Sequence, residues 1–392
     1  MPAEVDSPET QLDRIRRRLE ALIGIAATEG NQVTVLRNGD EIFPAMLKEI
    51  RSAKFTVDFM TYVYWQGEIA REFAEALADR ARQGVRVRVL IDAVGGLKIE
   101  DGLVDLMADA GVHVQWFRKP WLKSPFKQNH RCHRKVLVVD ETVGFTGGVG
   151  IAQEWCGDAR NANEWRDTHA RVEGPAVDGL AAGFSQNWSE GDLAMFDERD
   201  RFPPHEQVGD SVVQVVRGSA SIGWDDMQSF FYVALRSATR RIRLTTAYFA
   251  PSRDFIDLLT DSVAQGVEVD ILLPGPGADK RVCQLASEGT YAELVDAGVN
   301  VWNFQPSMLH AKVLTIDGVL SVIGSSNFNR RSMDHDEEIV MGILDPEIAS
   351  VLDEHFDDDL GRSEAIDLER WRNRSHLQRV LEGSARPVRR WL

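Results

Sequence analysis

A histidine followed two residues later by a lysine occurs twice in this chain, as His133-Arg-Lys135 and His310-Ala-Lys312, and an aspartate stands seven residues after each histidine, at Asp140 and Asp317. Each pair heads a short apolar run, Val136 to Val139 and Val313 to Ile316. On an extended backbone residues i and i+2 share a face, so imidazole and ammonium point the same way. That combination suits a bound phosphate: an imidazole can attack phosphorus or carry a proton, while an ammonium supplies fixed positive charge. One such phrase would be an ordinary feature of a sheet edge. Two of them, with the same aspartate spacing, point to a site that uses two imidazoles and two ammoniums. Asp140 and Asp317 follow their runs at the start of turns, and Asp317-Gly318 is a natural turn dipeptide, which gives both a structural role.

The elements that must position these residues repeat as well. The first copy has a strand-like run, Phe55 to Tyr64, a helix from Glu68 to Gln83, and after Gly84 two further runs, Val85 to Asp92 and Val112 to Phe117. The second has Arg241 to Phe249, a helix from Arg253 to Gln265, then after Gly266 the runs Val267 to Leu273 and Val299 to Phe304. Each closes with its histidine phrase and a small-residue turn, Gly147-Gly148 in the first and Gly324-Ser325-Ser326-Asn327 in the second. Strands alternating with amphipathic helices predict an α/β fold. The expected architecture is two pseudo-twofold-related repeats, each a mixed β-sheet flanked by helices, with the active site at the interface between them. The Pro-containing stretch Asp197 to Asp210 marks the boundary, giving residues 1–205 and 206–392, the latter ending in a C-terminal helix.

The paired phrases resemble the HxK(x)4D signatures of the phospholipase D superfamily. The second half adds Tyr248-Phe249-x-Pro251, Ala278-Asp279, Gly324 to Phe328, Arg331-Ser332 and Glu338; the first adds Gly147-Gly148, Trp165-Arg-Asp167 and Glu173-Gly-Pro175. From about Val33 to the C-terminus the combination is most similar to bacterial cardiolipin synthases and related phosphatidyltransferases. The resemblance implies a phosphohistidine intermediate, with His133 as nucleophile and His310 as general acid and then base. It implies that Lys135 and Lys312 clamp the non-bridging oxygens, and that Asn327, Ser325 and Gly148 lie at the phosphate. Glu338 and Asp167 would orient the histidine rings, with no metal or other cofactor. The first copy departs from the pattern at Gly150, where the second has Asn327, and at Gly148, where it has Ser325. A lost donor costs on the order of 1–3 kcal/mol unless backbone amides of Gly147 to Gly150 replace it, so Gly150→Asn is expected to be tolerated.

The formal net charge of -16 weighs against a nonspecific nucleic-acid binder, which neutralises phosphates with Lys and Arg. Cys132, Cys156 and Cys283 form no CxxC pair, which points to a reducing, cytoplasmic setting. Met1 to Glu20 is too charged for a signal peptide, and the apolar run Ala21 to Ala27 is far short of the ~20 residues of a membrane span. A lipid substrate such as phosphatidylglycerol would then be met by peripheral association with an anionic membrane surface. Between Ala110 and Val139 there is no acidic residue, whereas Arg118, Lys119, Lys123, Lys127, Arg131, Arg134 and Lys135 are interleaved with Trp116, Phe117, Trp121, Leu122 and Phe126. This stretch is the expected docking lip. The C-terminal residues Leu368, Trp371, Leu377, Val380 and Leu381 fall near helical spacing and suggest a docked amphipathic helix. His130 and His133 lack the carboxylate or thiol companions of a metal site. The leading function is therefore phosphatidyl transfer of the cardiolipin synthase type. Phospholipid hydrolysis, nucleic-acid cleavage and a degenerate lipid-binding role are the alternatives.

Overall fold

Apolar, largely β-branched runs form the strands of both repeats, and amphipathic helices cover the sheet they build. The computed structural model describes residues 8–119, 129–198, 201–219, 226–367, 369 and 371. In chain order the strands are β1 (Thr28–Arg37), β2 (Thr56–Thr61), β3 (Arg86–Asp92), β4 (His113–Phe117), β5 (Val136–Val139), β6 (Val143–Gly147) and β7 (Thr168–Glu173). The second repeat supplies β8 (Ser211–Gly218), β9 (Arg241–Thr245), β10 (Glu268–Pro274), β11 (Asn300–Phe304), β12 (Val313–Ile316), β13 (Leu320–Gly324), β14 (Glu338–Leu344) and β15 (Ser363–Ala365). The first repeat orders its strands β4-β3-β2-β5-β6-β7-β1, and the second β11-β10-β9-β12-β13-β14-β8, with β15 beyond β11. The two orders are the same pattern. In each, three parallel strands linked by crossover helices, Glu68–Arg82 and Asp101–Asp109 or Arg253–Ala264 and Arg281–Asp296, continue into antiparallel strands. Helices on both faces leave the inner strands buried throughout, as in β5 and β6.

Two features go beyond the expected pair of sheets. The sheets meet edge to edge: β1 and β8 pair antiparallel, with an irregular register between Thr28 and Asn31, so the described strands form one continuous sheet. Secondly, the helix Pro8–Ile23 packs against the helix Asp226–Leu235 of the other repeat. Its Ile15, Leu19 and Ile23, four residues apart, share one stripe and enter the same core as Phe230, Leu244 and Ile316. The packing of this helix crosses the boundary expected at residue 205.

The small-residue turns are also more ordered than expected: Gly147 and Gly324 are the last residues of β6 and β13. The histidine phrases lie just before β5 and β12 rather than within them. Asp140 and Asp317 stand at positive φ, 50° and 55°, immediately after those strands. Asp140 accepts hydrogen bonds from the backbone amides of Lys54, Phe55 and Thr56 at 2.7–2.8 Å. Asp317 accepts from the amides of Thr239, Arg240 and Arg241, from the Thr239 hydroxyl, and from Gln11 of the N-terminal helix. Each motif aspartate therefore pins the end of its strand to the start of the neighbouring antiparallel strand, β2 or β9.

Among the described residues no helix is long and apolar enough to cross a membrane. Of the expected lip, Trp121, Leu122, Lys123, Phe126 and Lys127 lie outside the described residues, as do Leu368, Leu377, Val380 and Leu381 of the expected C-terminal helix.

Candidate active site

The two histidine phrases are brought together by a pair of matching backbone contacts across the repeats. Cys132 bridges to Glu337 and Leu309 bridges to Arg166. The His133 amide donates to the Glu337 carbonyl at 2.9 Å, and the His310 amide to the Arg166 carbonyl at 2.7 Å. One residue further on, each histidine meets a carboxylate from the opposite repeat. His133 Nδ1 lies 2.9 and 3.1 Å from the Glu338 carboxylate oxygens, and His310 Nδ1 lies 2.8 Å from Asp167 Oδ2. Glu338 and Asp167 are fully buried. A carboxylate accepts the Nδ1 proton, which places the lone pair of a neutral ring on Nε2. Each half thus supplies one imidazole and the group that orients the other half's imidazole. That crossing was not legible from the motifs.

The surroundings of the two pairs differ. Glu338 accepts a short hydrogen bond from the Ser325 hydroxyl, which in turn accepts from the Ile339 amide at 3.1 Å. Asp167 accepts from Trp155 Nε1 and from the Thr168 amide, both at 2.8 Å. At Gly148, the counterpart of Ser325, an added Cβ would stand 2.2 Å from Asp167 Oδ1. Glycine is required there because the shorter aspartate brings its backbone close.

Two of the expected phosphate ligands make bonds within the site itself. The Ser325 hydroxyl is committed to Glu338, and the Gly148 amide donates to the Thr168 carbonyl at 3.2 Å. Ser325 thus supports Glu338, and Gly148 packs against Asp167. The Asn327 side-chain oxygen, by contrast, is buried with no hydrogen-bond partner among the described residues. Gly150 leaves no room for the Asn that the repeat suggests, since an added Cβ would meet Val63 Cβ at 2.6 Å. The expectation that Gly150→Asn is tolerated is therefore withdrawn on steric grounds.

Lys135 and Lys312 are buried beside the rings. Lys135 Nζ donates to the His133 carbonyl at 2.9 Å. Lys312 Nζ donates to the His310 carbonyl and lies 3.0 and 3.1 Å from the two nitrogens of the His310 ring. Burial pushes the Lys135 ammonium down to about 8 and that of Lys312 to about 7, against the pull of Asp167 and Glu338. Burial likewise lowers His133 to about 4, although Glu338 pulls the other way. His310 falls well below the usual histidine range through burial and the nearby Lys312 and Lys135. Asp167 is raised by burial; Glu338 is lowered because His133 and Lys135 outweigh its burial. These groups act on one another across the repeats, so the centre is electrically single.

His310 is enclosed by rings: Trp155, Trp165 and Tyr248 have centroids 5.1, 5.6 and 6.3 Å from it. Trp155 carried no functional signal in the sequence. Tyr62 lies edge-on to His133 at 5.1 Å. His169 is a buried residue of β7, and no cluster of three or more metal-ligating side chains occurs among the described residues.

The family described as "Cardiolipin synthase, PLD-like domain" matches residues 46–167 and 232–360, which contain both crossed pairs. This chain belongs to that family. It is therefore an enzyme of the phospholipase D superfamily. Among its relatives, cardiolipin synthase 2 of Bacillus anthracis is 32% identical over 96% of this chain and 73% of its own length. The cardiolipin synthase of Geobacillus kaustophilus (strain HTA426) is 31% identical over 91% and 71%. The crystal structure of the phosphatidylserine synthase of Haemophilus influenzae Rd KW20 shares the fold, with a TM-score of 0.73 at 14% identity, covering 97% of this chain and 100% of that one.

Proposed function

We propose that this family member is a phosphatidyltransferase of the cardiolipin synthase type, with both repeats contributing to one site. The crossed pairs His133–Glu338 and His310–Asp167 carry the reading. Displacement at phosphorus through a covalent intermediate needs a nucleophile on one side and a proton donor on the other. His133, held neutral by burial, presents Nε2 to phosphorus. The headgroup alkoxide leaves with a proton from His310, and an incoming alcohol then gives its own hydroxyl proton to His310 as it displaces His133 from phosphorus. Both lysines are needed as cations, and it is burial that depresses their pKa values, more than Asp167 and Glu338 raise them. An anionic phosphodiester between them restores both ammoniums and favours the proton on His310. Asn327 would serve the same phosphate through its side-chain NH2, the donor of that amide, and not through the buried Oδ1, which only accepts.

The relatives named above are cardiolipin synthases, which supports phosphatidylglycerol as substrate and a membrane surface as the place of work. Contact with that surface is assigned to the basic, aromatic stretch after β4, and oligomerisation is not required for a complete site. Purified protein given phosphatidylglycerol in mixed micelles should yield cardiolipin and glycerol. Phosphatidic acid as the sole product would make it a hydrolase, and cleavage of single-stranded DNA with no lipid turnover would overturn the assignment.

A further inference from the structure

The pseudo-symmetry fails at the mouth of the site. Thr61 Oγ1 donates to the Val63 carbonyl and Thr246 Oγ1 to the Tyr248 carbonyl, which makes Val63 and Tyr248 counterparts. On the His133 side this position is a buried valine. On the His310 side it is a tyrosine whose hydroxyl stands 2.9 Å from both oxygens of Asp279. Lys280 Nζ lies 5.0 Å from the centre of the same ring. Asp279 and Lys280 are exposed, while Tyr248 is half-buried with its ring edge-on to His310. Asp279 is near enough to act on Lys312, and Lys280 to act on His310.

The support beneath this group is fixed. Ser287 Oγ donates to the Phe249 carbonyl at 2.7 Å, and Gln284 Nε2 donates to the Gly275 carbonyl at 3.1 Å. Both ties run from the helix Arg281–Asp296 to the chain carrying Tyr248 and Asp279. The phenol has one proton to give, so most of the lone-pair capacity of Asp279 is open to a ligand. A carboxylate beside an ammonium, at the edge of a proton-transfer histidine, fits a ligand with neighbouring hydroxyls. The carboxylate accepts from hydroxyl protons and the ammonium donates to a hydroxyl oxygen.

We propose that Asp279 and Lys280, with Asp279 positioned by Tyr248, form the subsite for the alcohol that leaves and enters beside His310, and that its ligand is a vicinal diol such as a glycerol headgroup. The inference rests on the transferase reading above. In the first half-reaction the His133 Nε2–P bond forms, the P–O bond to the headgroup breaks, and the proton of His310 goes to the leaving oxygen. In the second, a hydroxyl oxygen held in the same subsite bonds to phosphorus and gives its proton to His310. The P–N bond then breaks and its electron pair returns to His133. One subsite serves both alcohols because the same base handles both protons. It raises the local concentration of a diol over water at the moment the intermediate is open.

The test is the fate of the intermediate, which is independent of how fast it forms. Phosphatidylglycerol in mixed micelles is supplied with labelled free glycerol, and transfer to glycerol is measured against phosphatidic acid. Asp279→Asn should lower that transfer-to-hydrolysis ratio about tenfold or more, the scale of a hydrogen bond to a charged group. Lys280→Ala should lower it less, and Tyr248→Phe should raise the glycerol concentration needed for half-maximal capture. With methanol, which offers a single hydroxyl, the ratio should move much less in all three. If Asp279→Asn and Lys280→Ala both keep the wild-type ratio for glycerol, the subsite is overturned. If the wild-type enzyme releases no glycerol from phosphatidylglycerol, the transferase reading itself falls.

Discussion

The two halves of the reaction centre share a backbone plan and differ in what surrounds each histidine. His133 leans on a glutamate steadied by a serine hydroxyl, with Tyr62 at its edge. His310 leans on an aspartate steadied by an indole and a backbone amide, and three aromatic rings enclose it. The shorter carboxylate requires Gly148 where the longer one allows Ser325. Equivalent backbone positions can thus serve unequal tasks, because the packing partners set the dryness and reach of each group. In the proposed reaction one histidine stays on phosphorus while the other exchanges protons, and a perfectly symmetric pair would not distinguish them.

The most severe way to break this comparison is to remove either ring. His133→Ala and His310→Ala should each lower turnover by at least about 10³-fold, measured as cardiolipin formed. Near-normal activity in either would sink the shared site. Quenching with labelled lipid sharpens the result: His310→Asn should retain acid-labile label on protein, and His133→Asn should retain none. The reverse pattern would exchange their roles.

The orienting carboxylates come next. Asp167→Asn and Glu338→Gln should each reduce kcat roughly 10²- to 10⁴-fold, because the amide misdirects the ring it no longer charges. Between their supports the asymmetry should appear directly. Gly148→Ala should be nearly inactive, since its Cβ overlaps Asp167, whereas Ser325→Ala should keep activity within about tenfold to hundredfold of wild type. Equal effects would show that the two carboxylates are held alike.

The outlying aspartates should affect folding rather than chemistry. Asp317→Ala should cost about 2–4 kcal/mol of stability and Asp140→Ala somewhat less, because Asp317 has more donors, including Gln11. Denaturant melts would measure this, and activity per folded molecule should change little. Gly150→Asn should also lose stability, through the Val63 contact.

The smallest effect expected is a pH shape. His133 must be neutral to attack, so kcat/KM should fall on the acid side only near pH 4. It should also fall as pH rises, first as His310, lowered well below the usual histidine range by burial, loses the proton it must donate, and then from about 7 through 8, where Lys312 and Lys135 lose the charges that bind phosphate. An alkaline limb that does not move in Lys312→Arg would assign that loss elsewhere.

The histidines and lysines were legible because strict local spacing, repeated in two places, survives in one dimension. The pairing of Glu338 with His133 and of Asp167 with His310 was not, since their sequence separations exceed any local pattern. Ser325 invited a phosphate-binding reading because it lies in the motif, but its hydroxyl is turned to the carboxylate instead. Gly150 looked like a missing donor only because alignment of the repeats ignores Val63 across from it. The closing strands β1 and β8 carry no chemistry and stood outside the recognised runs. Their antiparallel pairing turns two sheets into one.

The N-terminal helix has a consequence for how the chain reaches this state in time. It precedes by roughly 200 to 300 residues the core that receives Ile15, Leu19 and Ile23, which includes Phe230 and Ile316. At synthesis rates of about 5–20 residues per second, the roughly 300 residues between Gln11 and Asp317 take on the order of 15 to 60 seconds. Throughout that interval the helix carries an apolar stripe with no home, and Gln11 waits for Asp317. The first repeat can assemble its own sheet meanwhile, but the core of the second is sealed only when this helix returns to it.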